Sequence, residues 1–235
     1  MKTRAVFFYI FLQEDIFMKG FKVFNPDWTC RDFKYEVGKT YKHEGEIELC
    51  KSGFHFCEKL SDCFRFYELS TDNHVAEIEA IGNIKTDSVK SVTNEIKIVK
   101  ELDLDYVFEK LSEDKDWHVR TDVARNPNTP VNVLEKLSED KDWYVRTNVA
   151  RNPNTPVNIL EKLSEDKDNY VRAEVARNLN TPVNILEKLS EDENEDVRTG
   201  AAINLNTPVN ILKKLFEDEI FRVRTSAKEK RRTKI

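Results

Sequence analysis

No apolar run in this chain of 235 residues approaches the roughly 18–20 residues that a bilayer-crossing helix needs, so it reads as soluble with no membrane partner. Positive charge is not in excess. Lys and Arg number 38 against 43 Asp and Glu, for a net charge of −5. That balance argues against broad nucleic-acid binding while leaving room for local basic patches. No cleavable leader is expected either: Ala5–Leu12 (AVFFYIFL) follows Lys2 and Arg4, but Gln13-Glu14-Asp15 come at once and no small-residue cleavage site appears. Residues 1–17 read instead as an extension ahead of Met18, and the expected location is the cytoplasm. Close cysteine pairs are absent. Cys50, Cys57 and Cys63 follow a C-x6-C-x5-C spacing, with Cys30 further upstream. Two thiolates on one zinc knuckle need a tighter motif, so no metal or cofactor is assigned, and the four read as reduced, mostly buried thiols.

What the chain has in abundance is a repeated phrase. LSEDKDWHVRTDVARNPNTPVNVLEK starts at Leu111 and recurs from Leu137, Leu163 and Leu189, with a fifth start at Leu215, each 26 residues after the last. A period of this length means a solenoid whose units bury their apolar faces only against neighbours. Each unit contains two short helices. Asp116, Asp142, Asp168 and Asn194 are N-caps of the first, and Asn126, Asn152, Asn178 and Asn204 are its expected left-handed C-caps. Thr129, Thr155, Thr181 and Thr207 read as N-caps of the second, with proline next at its first position. The expected core is Val119, Val123 and Ala124 against Val131, Leu134 and Leu137, with Val133 reaching the next unit. Arg120, Arg146, Arg172, Arg198 and Arg224 recur and should pair with acidic residues such as Asp114 or Asp140. Asn132, Asn158, Asn184 and Asn210 read as a hydrogen-bond ladder.

The phrase V-A-R-N-P-N-T-P-V-N-V-L-E-K-L resembles the leucine-rich repeat variant family, with Val119–Leu137 carrying the pattern. The resemblance implies alternating α and 3₁₀ helices in a right-handed superhelix. Leu179 and Leu205 in place of proline, and Gly200, depart from it, so the fourth unit is expected to be looser. Some members carry a cysteine-rich iron–sulfur segment before the repeats; the spacing here does not match one.

Positions that differ between units mark where a partner would be read. His118, Tyr144, Tyr170 and Asp196 form one column, Asp122, Asn148, Glu174 and Gly200 a second, and Arg125, Arg151, Arg177 and Ile203 a third. Offsets of four and seven residues put the three columns on one helix face. Trp117 and Trp143 flank them and give way to Asn169 and Glu195. The candidate binding residues are Trp117, His118, Asp122, Arg125, Trp143, Tyr144, Asn148, Arg151, Tyr170, Glu174 and Arg177, because Tyr, Trp and Arg are favoured interface anchors. The simpler alternative is that the tryptophans pack between units and each Arg pairs with its own helix. RNA or DNA binding along the Arg columns is a further alternative, opposed by the acidic column. Phe216, Ile220 and Phe221 are expected to cap the last unit or to meet a second copy, and 228–235 to be an unstructured basic tail.

Residues 18–102 read as a small α+β domain, with strands at Phe21–Phe24, Phe33–Val37, Glu46–Cys50, Gly53–Cys57, Val75–Ile81 and Ile96–Val99, and a helix over Glu58–Leu69. F-N-P-D-W-T-C-R at Phe24–Arg31, Y-E-V-G-K-T-Y at Tyr35–Tyr41 and L-C-K-S-G-F-H-F-C at Leu49–Cys57 resemble a domain of unknown function found in phage, prophage and bacterial proteins. That resemblance implies a phage-related origin and supplies no catalytic residues. Gly53–Tyr67 is faintly similar to a strand–helix of ADP-ribosyl-transfer proteins, and Cys50 or Cys57 with His55 is a conceivable thiol–imidazole pair. The resulting expectation is an α+β domain (18–102) followed by a helical solenoid (103–227). It would be a non-enzymatic module binding a host protein or ribonucleoprotein, in its sharpest form an inhibitor of a host defence system such as a CRISPR nuclease. The rival is an enzyme whose N-terminal domain modifies a nucleotide or protein, with the repeats as targeting arm.

Overall fold

A computed structural model describes residues 17–232. The expected extension over 1–17 and the end of the basic tail therefore lie, apart from Phe17, outside the described residues. The chain divides into two compact units: residues up to Glu68 with Asp72–Leu102, and Leu69–Thr71 with Asp103 onward.

The first unit is built on an antiparallel sheet. Its elements are β1 (Met18–Phe24), β2 (Thr29–Cys30), β3 (Phe33–Lys34), β4 (Thr40–Lys42), β5 (Phe54–Phe56), α1 (Leu60–Cys63), β6 (His74–Thr86) and β7 (Ser91–Leu102). The order is β1-β6-β7-β4, with β5 also pairing with β7, and β2 and β3 form a separate hairpin. β6 and β7 are joined by a turn in which Asp87 Oδ1 accepts from the N–H groups of Val89 and Lys90. Alternation then works as period-2 geometry requires. Ala76, Ile78 and Ala80 of β6 and Ile96 and Ile98 of β7 face one core with Phe24, Tyr35, Phe54 and Phe56. Two expectations fail here. Glu46–Cys50 is not a strand, because Ser52 and Lys51 bond back to Glu48 in a turn. The helix expected over Glu58–Leu69 shrinks to Leu60–Cys63, with only Cys63 of it buried.

The second unit opens with α2 (Leu104–Ser112), whose N-cap Asp103 accepts from Asp105 N and Tyr106 N. Four helix pairs follow: α3 (Trp117–Arg125) and α4 (Val131–Leu137), α5 (Trp143–Arg151) and α6 (Val157–Leu163), α7 (Asn169–Arg177) and α8 (Val183–Leu189), α9 (Glu195–Ile203) and α10 (Val209–Leu215). α11 (Phe221–Arg232) closes the run. Both helices of each pair are α-helical, so the α/3₁₀ alternation implied by the resemblance is confined to end turns such as Glu139 N to Lys136 O. Asp116, Asp142, Asp168 and Asn194 cap as expected, each accepting from the N–H two residues on.

The connections differ from expectation in an instructive way. Asn126, Asn152, Asn178 and Asn204 are extended, not left-handed. Extension lets Asn126 Nδ2 donate to Leu69 O at 2.7 Å and lets the later amides reach the unit before: Asn152 Nδ2 donates to Ala124 O and Asn126 O, both at 2.8 Å. Asn178 and Asn204 repeat the bond one and two units later. The ladder is therefore made by these asparagines and not by the Asn132 column, which is exposed. Thr129, Thr155, Thr181 and Thr207 do not cap the second helices. Each hydroxyl donates at 2.6 Å to the carbonyl six residues earlier, and proline takes the cap position.

Leu134, Leu160, Leu186 and Leu212 are fully buried, each contributing about 1.5–3 kcal/mol. Val131, assigned above to the core, is exposed, as are Val157, Val183 and Val209. The arginine column supplies the firmest staple. Arg120 grips Asp140 of the next unit through Nε (2.6 Å) and Nη2 (2.9 Å), while its Nη1 holds Asp114 O of its own. Arg146–Asp166, Arg172–Asp192 and Arg198–Asp218 repeat this clasp. The fourth unit is not looser: a Cβ on Gly200 would sit 2.9 Å from both Ala173 O and Ala176 Cβ, so glycine lets α9 approach α7. At the end, Val223 and Ala227 of α11 are buried and Phe216 and Ile220 half-buried, whereas Phe221 is exposed, so of the three residues expected to cap the last unit Phe221 alone stands outside the packing. Lys228–Arg232 continue that helix instead of forming an unstructured tail.

Candidate interaction surface

The first helices of successive pairs align their N-terminal turns, and with them the variable side chains. The Trp117 ring stacks on His118 (centroids 3.7 Å apart, 28°) and meets Tyr144 of the next unit edge-on at 5.5 Å. Trp143 meets Tyr144 at 5.5 Å and Tyr170 of the third unit at 5.3 Å. A continuous ladder of rings thus crosses three units. It is not buried by this packing: Trp117 is 36% exposed, Trp143 42%, Tyr144 40% and Tyr170 56%. The inter-unit packing alternative holds, and each ring that uses an edge or face on a neighbour still shows the rest to solvent.

The other two columns are only partly available. Asp122 and Arg125 pair with each other at 2.9 Å on the surface. Asn148 is buried, with Nδ2 donating to Tyr144 O at 2.8 Å, so it braces α5 and cannot meet a partner. Glu174 is mostly buried and takes Arg151 from one side and Arg177 from the other. Every arginine of the third column that faces the stripe therefore has a carboxylate beside it. That opposes the phosphate-binding alternative, which needs unneutralised cations. Only the Asp122–Arg125 pair is exposed on both sides, and a pair of that kind contributes little stability. The second helices carry a separate lysine–glutamate ladder, Lys136 with Glu109 and Glu113, Lys162 with Glu139 and Lys188 with Glu165. Nothing in the sequence of a single unit announced it; the offset of 23 residues in Lys136–Glu113, Lys162–Glu139 and Lys188–Glu165 was the available signal.

The candidate chemistry of the first unit resolves differently. Cys57 and Cys63 are buried next to each other, whereas Cys50 is exposed and Cys30 half-buried, so the thiols are not mostly buried. His55 Nε2 accepts from Cys50 N at 2.8 Å and is thus occupied by backbone. Burial first, then the charges of Arg31, Lys22 and Lys90, push its pKa down to about 4. Cys50 Sγ faces Lys90 Nζ at 2.7 Å, so no imidazole is poised on that thiol. His74 lies between Glu101 Oε1 and Pro26 O and stacks on Trp28. Among the described residues no three His, Cys, Asp or Glu side chains converge as a metal-ligand set, and no helix is long and apolar enough to cross a membrane.

Comparison with known proteins follows the same division. Residues 18–110 match a domain of unknown function (DUF7666), and residues 117–142 and 143–168 match the leucine rich repeat variant. Among solved structures, the chain is 24% identical to a leucine-rich repeat variant with a novel repetitive structural motif, over 53% of this chain and 60% of that one, with a TM-score of 0.38. An engineered protein is 23% identical over 54% of this chain and 77% of its own, with a TM-score of 0.40. The chain thus spans about three-fifths of the length of the first of these. No curated protein is matched significantly. The C-terminal half is thus a run of repeated helices with leucine rich repeat variant repeats at residues 117–168, and residues 18–110 match the DUF7666 model.

Proposed function

We propose that the repeat unit is a protein-binding scaffold whose anchor is the ring ladder Trp117, His118, Tyr144, Trp143 and Tyr170, with Arg125, Arg151 and Arg177 as its polar rim. The observation that carries this reading is the continuity of half-exposed aromatic side chains across three units. Contiguous exposed apolar surface of this kind marks an interaction site more often than isolated apolar residues do. Trp, Tyr and Arg are also the residue types that dominate interface energetics. The phage-type resemblance of the first unit frames the partner as a host protein, and inhibition of a host defence nuclease is the most specific form of the proposal.

The chain itself supplies a test variant. At the positions of Trp143 and Tyr144 the fourth unit carries Glu195 and Asp196, and α9 forms the same nine-residue helix. Trp143→Glu/Tyr144→Asp should therefore keep the fold. Removing two anchors costs about 2 kcal/mol or more each, beyond 30-fold in affinity. Capture of binding proteins from host lysate, quantified for wild type and variant, is the measurement. Equal recovery of the same partner by a correctly folded variant would refute the assignment.

A further inference from the structure

The first unit encloses a cavity of about 420 Å³ between β1, the β2–β3 hairpin, β5 with the loop before it, and the turn at Phe66–Tyr67. Pockets that bury small organic ligands begin at roughly this size. Its lining is one-sided in charge: Lys22, Arg31 and Lys90 contribute to it, together with Lys51, whose ammonium pairs with Glu48 Oε1 at 2.6 Å, and not one Asp or Glu lines it, although the chain as a whole carries −5. A cleft of one sign with apolar walls concentrates the opposite charge.

The cations are held at two depths. Lys22 is 4% exposed. Its ammonium donates to His55 O at 2.8 Å and Cys30 Sγ at 3.3 Å and lies over the rings of Phe24 and Tyr35. At the rim, Lys90 Nζ contacts Cys50 Sγ at 2.7 Å and lies 5.0 Å from the Phe66 ring centre. Sulfur is a weak acceptor. The two thiols therefore position the ammonium groups without supplying what an ionised oxygen would. The depressed basicity of His55, due in part to Arg31, Lys22 and Lys90, reports the same positive field.

The rim is also strained. Arg31 (φ +56°) and Cys50 (φ +68°) are left-handed without being glycine. They are locked to each other by Arg31 Nη2 donating to Cys50 O at 3.0 Å, with Nη1 on Lys51 O at 3.2 Å. Strain over-determined by its surroundings gathers at ligand-binding sites. Beside these groups, Phe33 and Phe66 expose large parts of their rings.

We propose that this cavity binds a small organic anion with a planar ring, of the size and chemistry of a nucleoside monophosphate. The anion sits at Arg31, Lys90 and the buried Lys22, and the ring packs against the rim aromatics. The site lies wholly within the first unit and is independent of the ring ladder.

Calorimetric titration of the full chain with each of the four ribonucleoside 5′-monophosphates, adenosine and inorganic phosphate tests it. At least one monophosphate should bind at about 100 µM or tighter, with adenosine and phosphate each at least about tenfold weaker. Lys90→Glu should weaken the monophosphate at least about tenfold, as loss of a charged hydrogen bond does, and Phe66→Ala severalfold. Lys228→Glu/Lys230→Glu, in the basic C-terminal helix, should change nothing. Absence of binding by every monophosphate, phosphate binding as tightly as its nucleotide, or an unchanged affinity in Lys90→Glu would each overturn the proposal. If Lys90→Glu lowers the melting temperature, amide shift mapping of the wild type replaces it. Nucleotide-induced shifts must then fall at Lys22, Arg31 and Tyr67, and shifts confined to the repeats would overturn the assignment.

Discussion

The clasp between Arg146 and Asp166 offers the sharpest check on how the repeat unit is held together. Both side chains are under a tenth exposed. Arg146 donates Nε and Nη2 to the two Asp166 oxygens at 2.6 and 2.9 Å, and Nη1 to Asp140 O at 2.8 Å. Arg146→Met would leave the Asp166 carboxylate buried with a single remaining donor, Asp168 N. Removing one partner of a buried ion pair costs about 3–5 kcal/mol, most of it from the stranded charge. The double variant Arg146→Met/Asp166→Asn separates that charge penalty from the lost packing. Asn keeps an oxygen for the Asp168 N–H and carries no charge, so the double should be about 2 kcal/mol more stable than Arg146→Met alone. Because each unit is supported only by its neighbours, the single variant should also split the urea transition, with units after the break unfolding first. Urea titration followed by far-ultraviolet circular dichroism and tryptophan emission reads both effects. A cost below about 1 kcal/mol for Arg146→Met, or a double variant as unstable as the sum of its singles, would refute the view that the clasp staples the units.

Acid should act through the same residues. Burial pushes Asp140, Asp166, Asp192 and Asp218 up, but the arginine hydrogen bonds, the N–H two residues on and the guanidinium charge together hold each below the usual aspartate value. A folded pKa below the unfolded one means stability that is fully present above about 3.9 and lost as pH falls through the lower folded values. The urea midpoint of the repeat-unit transition should stay flat from about pH 7 to 5 and drop below about pH 4, whereas the depressed His55 costs the first unit stability already below about pH 6.5; a repeat-unit midpoint rising below about pH 4 would contradict the assignment. Asn178→Ala leaves the Ala150 carbonyl and the Asn180 N–H without this partner and the Asn152 carbonyl with the Thr155 N–H, for a cost of about 2–4 kcal/mol. Asn178→Asp, which cannot donate, should be no better, and a fully stable Asp variant would show that the amide is not the link. Leu160→Ala should cost about 3–5 kcal/mol, and Val157→Ala, at 47% exposure, less than about 0.5 kcal/mol; similar costs for the two would return the Val131 column to the core.

That last contrast also shows where reading the sequence stopped. Period and apolar spacing located both helices of every unit, and the recurrence of Arg with an acidic loop identified the clasp. The error at Val131 was angular. At about 100° per residue, Val133, Leu134 and Leu137 point within a quarter turn or so of one another, whereas Val131 lies well off that direction and meets solvent. Thr129 and Asn126 were misread because a hydroxyl and an amide each donate as well as accept. Their partners lie in another turn of chain, which local capping rules do not see. In the first unit, β6 and β7 run through Lys85, Thr86 and Lys90-flanking polar sequence with no apolar alternation, so only pairing across the hairpin extends them to Thr86 and back from Ser91. The cavity was invisible for a related reason. Lys22, Arg31, Cys50, Phe66 and Lys90 come from separate segments, and none is unusual in its own.

The fourth unit separates what the fold requires from what it merely permits. Arg198 still clasps Asp218, Asn204 still reaches Ala176 O and Asn178 O, and Thr207 still bonds Ala201 O. Yet Glu195 and Asp196 stand where the first two units place tryptophan with histidine or tyrosine and the third places Asn169 and Tyr170, and the helix has the same length and is capped in the same way. The rings are therefore not what stacks the units. Four exposed aromatics that the architecture can replace by carboxylates carry a standing cost in solvent-exposed apolar surface, of about 25 cal/mol for each Å² left uncovered. In the proposed reading the contact is bounded, and its boundary falls where Tyr170 gives way to Asp196.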